Sequence, residues 1–170
     1  ALLEGNHYFQ NERFDLAKDH YQNAVSVNSK SPDFWISKYN LGLTYFKKGK
    51  FPKANREFSK LLADPMEISR QSLIRYHLIF GYYKAKSPSL CIKEFDQLEL
   101  SNLNENQNYE TRMIKAASLL QLKENRKAIA ELISIFLSTG KIVPLEIAIR
   151  VIYREGSFEK VIELIDQHPE

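Results

Sequence analysis

The chain has 170 residues, of which 44% are hydrophobic, 26% charged and 12% aromatic, enough apolar material for one globular unit or a short repeat array. Its 10 Phe and 9 Tyr exclude a wholly disordered tail, and only 6 Gly and 6 Pro exclude collagen-like and linker compositions. The 24 basic and 21 acidic residues are interspersed and leave a net charge of +3, which implies no strong field for nucleic acid or a membrane surface.

In chain order, the first residue is Ala1 rather than Met, and no signal-peptide pattern follows it. The expectation is an excised or processed piece of something longer. Small residues then recur 37 residues apart at Ala17, Ala54, Cys91 and Ala128, with Val161 after a further 33. Four residues beyond each stands a large one: Tyr21, Phe58, Phe95, Leu132, Ile165. Three of these sets are completed seven beyond the small residue by Leu61, Leu98 and Ile135, and the first by Ala24. Spacings of four and seven place each set on one face of a helix.

An upstream series, Gly5, Gly42, Ala116 and Ile149, stands twelve residues before the small residue of its own repeat. Each is followed three residues later by Tyr8, Tyr45, Leu119 or Ile152, again a helical face. Gly81 stands only ten before Cys91, which predicts a shorter internal turn in the third repeat. Every unit therefore reads as a helical hairpin. Ser31-Pro32-Asp33, Asp64-Pro65-Met66-Glu67 and Ser87-Pro88 supply acceptors before prolines, the chemistry of a helix start. Glu67, three beyond Asp64, adds the pattern of a capping box. Gly49 and Gly156 fall where hairpins must turn, and no strand-like alternation of useful length appears.

These residues resemble the tetratricopeptide repeat family. The match is fullest in the second repeat, through Leu41-Gly42, Tyr45, Gly49, Phe51, Ala54, Phe58 and Pro65. The first repeat follows through Gly5, Tyr8, Phe14, Ala17, Tyr21 and Ala24. The resemblance implies an all-α, right-handed solenoid of about five hairpins in a single repeat domain, with repeats near 1–31, 32–65, 66–102, 103–140 and 141–170. The 37-residue spacing exceeds the family's usual period of roughly 34, so slightly longer connections between hairpins are expected. Close packing at the small positions predicts that Ala54→Leu overpacks the stack.

Chemistry is sparse. The four histidines, His7, His20, His77 and His168, form no zinc-binding helix motif, and no phosphate loop, nucleophile elbow or kinase signature occurs. Cys91 occupies a small packing slot and has no second cysteine to pair with. No enzymatic activity, cofactor or metal is expected. The run Lys47-Lys48-Gly49-Lys50, with Lys53, reads as a solvated turn. Helical repeats that read RNA are the less favoured alternative, and nucleic acid is not the expected partner. No window is apolar enough to span a bilayer, so membrane insertion by this segment is not expected. Cytoplasmic and periplasmic settings are both compatible.

By the resemblance, first helices line a concave groove, and residues at groove-lining spacing include Asn6, Phe9, Tyr39, Asn40, Leu43 and Lys47 in the first two repeats. Arg75 and Tyr82 follow in the third, and Arg150, with Tyr153 and Arg154, in the fifth; Glu110 and Glu146 make the wall mixed. Rings and donors on one wall suit a protein or peptide partner. One family variant clamps the C-terminal carboxylate of chaperone tails with Lys and Asn, Asn, then Lys and Arg. Asn6 and Asn40 match its asparagines and Arg75 its first third-repeat cation, while Leu2 and Ile79 replace the other cations. The last helix, Phe158 to about Gln167, carries apolar residues on more than one face and no polar cap follows. Further chain, or a second copy forming a homo-oligomer, is expected to cover it. The expected function is a non-catalytic interaction scaffold, with a structural module assembling a complex through outer or terminal faces as the rival.

Overall fold

Tight turns set the architecture. In the computed structural model, which describes residues 1–27, 33–156 and 159, the left-handed backbone region is occupied at Glu12, Gly49, Lys86, Lys123 and Gly156, with φ between 56° and 73°. The first four stand 37 residues apart and the last follows after 33, the same rhythm as the small residues. Gly140, at the end of the eighth helix, is also left-handed. Around Gly49 the amide of Lys50 donates to the Tyr45 carbonyl and that of Gly49 to Phe46, both at 2.9 Å. Those two bonds close the helix end as a Schellman motif. The same pair recurs at Arg13 and Glu12, at Ser87 and Lys86, and at Glu124 and Lys123.

Every described element is helical, with no strand among the described residues. The helices are α1 (Leu2–Gln10), α2 (Phe14–Val27), α3 (Asp33–Lys47), α4 (Phe51–Leu62), α5 (Ile68–Lys84) and α6 (Pro88–Phe95), followed by a 3₁₀ turn at Leu100–Asn102. After them come α7 (Glu105–Gln121), α8 (Asn125–Thr139) and α9 (Ile142–Arg154). They divide into two compact units, Ala1–Leu103 and Asn104–Glu170. Within the first, each helix packs on the next from α1 to α6; within the second, α7 packs on α8 and α8 on α9.

The small residues do what their spacing predicts. A Cβ on Gly5 would lie 2.6 Å from the Tyr21 ring, and one on Gly42 2.6 Å from Phe58, so in the first two hairpins the paired helices approach too closely for any side chain there. Ala17, Ala54, Cys91 and Ala128 are wholly buried. In the first unit Ala54, Phe58, Leu61, Ile74 and Leu78 form a core that joins α4 to α5, and Ala17, Tyr21 and Leu41 join α2 to α3. In the second, Ala116, Leu132 and Ala148 play that part. Cys91 is buried and its thiol donates to the Ile79 carbonyl at 3.3 Å.

Three local expectations change. The third turn is not shortened: Lys86 keeps the 37-residue register, and the residue equivalent to Gly5 and Gly42 is Ile79, itself fully buried. Gly81 belongs to a different contact, described below. Asp64 does not cap α5, because its amide still donates to the Leu61 carbonyl at the end of α4; α5 starts at Ile68, with Glu67 as an N-cap whose side chain makes no capping bond. Ser87 does stand at the start of α6 with Pro88 next, but its hydroxyl makes no capping bond. The capping box lies at Asn104 and Gln107, whose side chains and amides exchange bonds of 2.9 and 3.2 Å. Ser31, Pro32 and the apolar residues of the expected last helix lie outside the described residues.

Candidate functional site

In the first unit α1, α3 and α5 are linked side chain to side chain. Asn40 Nδ2 donates to Asn6 Oδ1 at 2.9 Å, and the same oxygen accepts from the Tyr21 hydroxyl at 2.8 Å. One helix further on, the Tyr39 hydroxyl and His77 Nε2 are hydrogen-bonded at 2.8 Å. His77 sits among the rings of Tyr39, Phe46, Phe58 and Tyr76, at centroid distances of 5.0 to 5.7 Å. Burial, helped by the nearby Lys47 charge, pulls its pKa down to about 4, so the imidazole is neutral at pH 7. Burial pushes the Tyr39 phenol up.

The left-handed turn residue gives each first-helix residue its equivalent. Phe9, Phe46 and Tyr83 share one position; Asn6, Leu43 and Phe80 another; Gln10, Lys47 and Lys84 a third. The ring and aliphatic members are half-buried, whereas Gln10, Lys47 and Lys84 are exposed. Leu3 and Ile36 are exposed on the same helices, at 82% and 40%. None of these positions carries a carboxylate in the first unit. The face is thus aromatic and aliphatic, and its exposed edge bears two ammonium groups.

Six of the residues singled out from sequence, Asn6, Phe9, Tyr39, Asn40, Leu43 and Lys47, therefore stand on neighbouring helices α1 and α3. Asn6 and Asn40 are engaged with each other and Tyr39 with His77, and Phe9, Tyr39 and Leu43 also pack on the hairpin cores. Arg75 is elsewhere: its guanidinium forms an ion pair with Glu94 of α6, and both side chains are about 85% buried. Arg112 and Glu131, each 37 residues further on, repeat that pair at 2.6 Å in the second unit. The pair is a clasp between the two helices of one hairpin. Tyr82 is equivalent to Tyr45 and Tyr8, and it packs toward α4. Arg150 lies in the second unit, on α9, 3.7 Å from Glu146.

Anchoring the third hairpin on Gly81 displaced its register by two residues. Corrected, the clamp positions there are Leu73 and His77 rather than Arg75 and Ile79. Reading missed His77, Phe80 and Lys84, although strict 37-residue counting from Asn40, Leu43 and Lys47 reaches all three.

Among the described residues no group of three His, Cys, Asp or Glu side chains could hold a metal ion, and no helix is long and apolar enough to cross a membrane.

The sequence model of the TPR repeat matches residues 5–49, which hold most of α1 and the whole of α2 and α3. No curated protein matches. Among solved structures the chain is similar to YrrB, described as a TPR protein with an unusual peptide-binding site. The identity is 21%, the match covers 98% of this chain and 84% of that one, and the TM-score is 0.74. It is also similar to a tetratricopeptide repeat protein from Parabacteroides merdae ATCC 43184, at 14% identity over 99% of this chain and 66% of that one, with a TM-score of 0.75. A third similar structure is the TPR2AB domain of yeast Sti1 in complex with pHSP90, at 14% identity, 97% and 86% coverage and a TM-score of 0.51. Residues 5–49 thus carry the sequence signature of the TPR repeat, and the chain shares the helical-hairpin fold of the tetratricopeptide-repeat structures to which it is similar.

Proposed function

We propose that the chain is a protein-interaction scaffold whose first unit captures a partner segment on the face of α1, α3 and α5. The observation that carries this reading is the face itself: ring and aliphatic side chains from three adjacent helices, edged by exposed Lys47 and Lys84 and free of carboxylates at the equivalent positions. Burying such rings supplies affinity, and the two cations set register and favour a segment with acidic residues beside its apolar ones. The peptide-binding site described for YrrB and the pHSP90 complex of the Sti1 domain support a protein-interaction role. A carboxylate clamp does not fit, since its three cation positions hold Leu2, Leu73 and a His77 whose pKa lies near 4.

Partner capture by the intact protein, repeated with Lys47→Glu and Lys84→Glu together, tests the reading. Loss of the captured protein with unchanged helical content supports it; unchanged capture refutes it. An assembly module is the second reading, favoured by Leu137, Ile142 and Val143 of the second unit, exposed at 61%, 58% and 52%. It predicts that Leu137→Asp abolishes assembly while the lysine substitutions do not.

A further inference from the structure

A second polar site lies away from that face, where α4 meets the turn between α5 and α6. A cleft of about 390 Å³ opens there between Asn55, Arg56 and Ser59 on one side and Tyr82, Ala85 and Ser87 on the other. The equivalent place between the first two hairpins shows what is unusual about it. There Lys48 is paired with Asp15, Lys18 with Asp19 at 2.8 Å, and Gln22 Nε2 donates to the Tyr45 hydroxyl at 3.3 Å. That junction carries its own carboxylates and its own lysines, and they neutralise each other.

Thirty-seven residues on, both carboxylates are gone. Pro52 replaces Asp15 and Ala85 replaces Lys48, which removes the bridging ion pair and leaves the space between them. Arg56 takes the place of Asp19, so a guanidinium stands where a carboxylate stood. Asn55 replaces Lys18; it is 5% exposed, and its Oδ1 is buried without a hydrogen-bond partner. That oxygen is held against Gly81, which has no Cβ to displace it. Asn55 itself lines the cleft, and Nδ2 is the end of its amide that can donate to a ligand there. The hydroxyls of Ser59 and Tyr82, 3.5 Å apart, complete the wall. No Asp or Glu lines the cleft.

We propose that the cleft between α4 and the α5–α6 turn binds a single carboxylate presented by an acidic peptide segment, with the Arg56 guanidinium as its counter-ion and Asn55 Nδ2 and the two hydroxyls as neutral donors. One planar fork matches one carboxylate, whereas a phosphate dianion calls for more positive charge than one guanidinium supplies. The site shares no residue with the α1–α3–α5 face, so it stands or falls independently of the function proposed above.

The test is an amide NMR titration of the intact chain with an acetylated, amidated heptapeptide bearing one central Glu, with its Gln counterpart, and with inorganic phosphate. The expected result is that the Asn55 side-chain NH₂ and the Arg56 Nε–H signals shift with the Glu peptide and not with the Gln peptide. Arg56→Gln, an exposed substitution, is expected to leave the spectrum folded and to weaken that binding about tenfold or more. Equal shifts with both peptides, no shift at millimolar peptide, stronger shifts with phosphate, or unaltered affinity in Arg56→Gln would each overturn the proposal. Shifts confined to Leu43, Lys47, Phe80 and Lys84 would overturn it while leaving the other face intact.

Discussion

Gly81 of α5 and Asn55 of α4 are in such close contact that a Cβ at position 81 would overlap the Asn55 amide oxygen. Gly81→Ala is therefore expected to destabilise the chain by about 1–3 kcal/mol. Denaturant unfolding of Gly81→Ala, Asn55→Ala and the double variant measures it. The double variant is expected to be more stable than the sum of the two losses implies, and simple additivity would show that the contact is not the cause.

Three of the left-handed turn residues are not glycine: Glu12, Lys86 and Lys123. A side chain there crowds the following carbonyl, and the strain that glycine relieves exceeds the cost of the extra unfolded-state entropy it brings. Lys86→Gly and Lys123→Gly are each expected to raise stability by about 0.5–1 kcal/mol, while Gly49→Ala lowers it by about 1 kcal/mol. Urea midpoints of the three variants decide this, and a loss in either lysine variant would contradict it.

His77 makes stability depend on pH. Its pKa is about 4 in the folded chain against roughly 6.5 when unfolded, so between those values the unfolded chain binds a proton that the folded chain refuses. Stability contributed by the neutral ring is complete above about pH 6.5 and is lost as pH falls toward 4, by about 1–3 kcal/mol in all. The polar groups around the ring are Tyr39, Tyr76 and Lys47. His77→Phe is expected to flatten the profile between pH 7 and 4.5, read by urea unfolding at several pH values. An unchanged slope would mean that the ring is not shielded from water.

The Arg112–Glu131 clasp is mostly buried and is shared by Lys115, whose ammonium reaches the same carboxylate at 2.9 Å; the guanidinium also donates to Ser134 and Ser138. Neutralising Glu131 to Gln leaves two cations facing no charge and is expected to cost about 2 kcal/mol. Among the described residues the equivalent Glu57 pairs within its own helix, with Lys60, and Glu57→Gln is expected to cost at most about 0.5 kcal/mol. Thermal unfolding of both variants gives the comparison, and equal losses would contradict it.

Ala54 is wholly buried in the core that joins α4 to α5. Ala54→Leu is expected to cost about 1–3 kcal/mol by overpacking. An unchanged melting temperature would show that the neighbouring helices can yield at this point.

Much of the hairpin architecture was legible because it rests on local periodicity. Ala17, Ala54, Cys91 and Ala128 mark a helix face at every repeat, and Gly42 with Phe58 states a close approach in residue sizes alone. Asp64 misled because an acceptor before a proline looks the same whether the preceding helix has ended or is still closing its last turn. Gly81 misled in another way. A glycine can serve the partner helix of its own hairpin, as Gly42 does, or the helix of the hairpin before, as Gly81 does with Asn55. Spacing does not separate the two.

The amino-acid sequence by itself determined that this chain folds as phased helical hairpins, since the spacing of small and large residues fixes which helix faces can be buried and where the chain must turn. Only the tertiary structure decided which charges are spent. Arg75 closes a hairpin on Glu94, Asn6 and Asn40 hold each other, and Lys47 and Lys84 remain at the exposed edge. Whether a polar group is available to a partner depends on what reaches it across helices far apart in sequence, and periodicity along one helix carries no record of that.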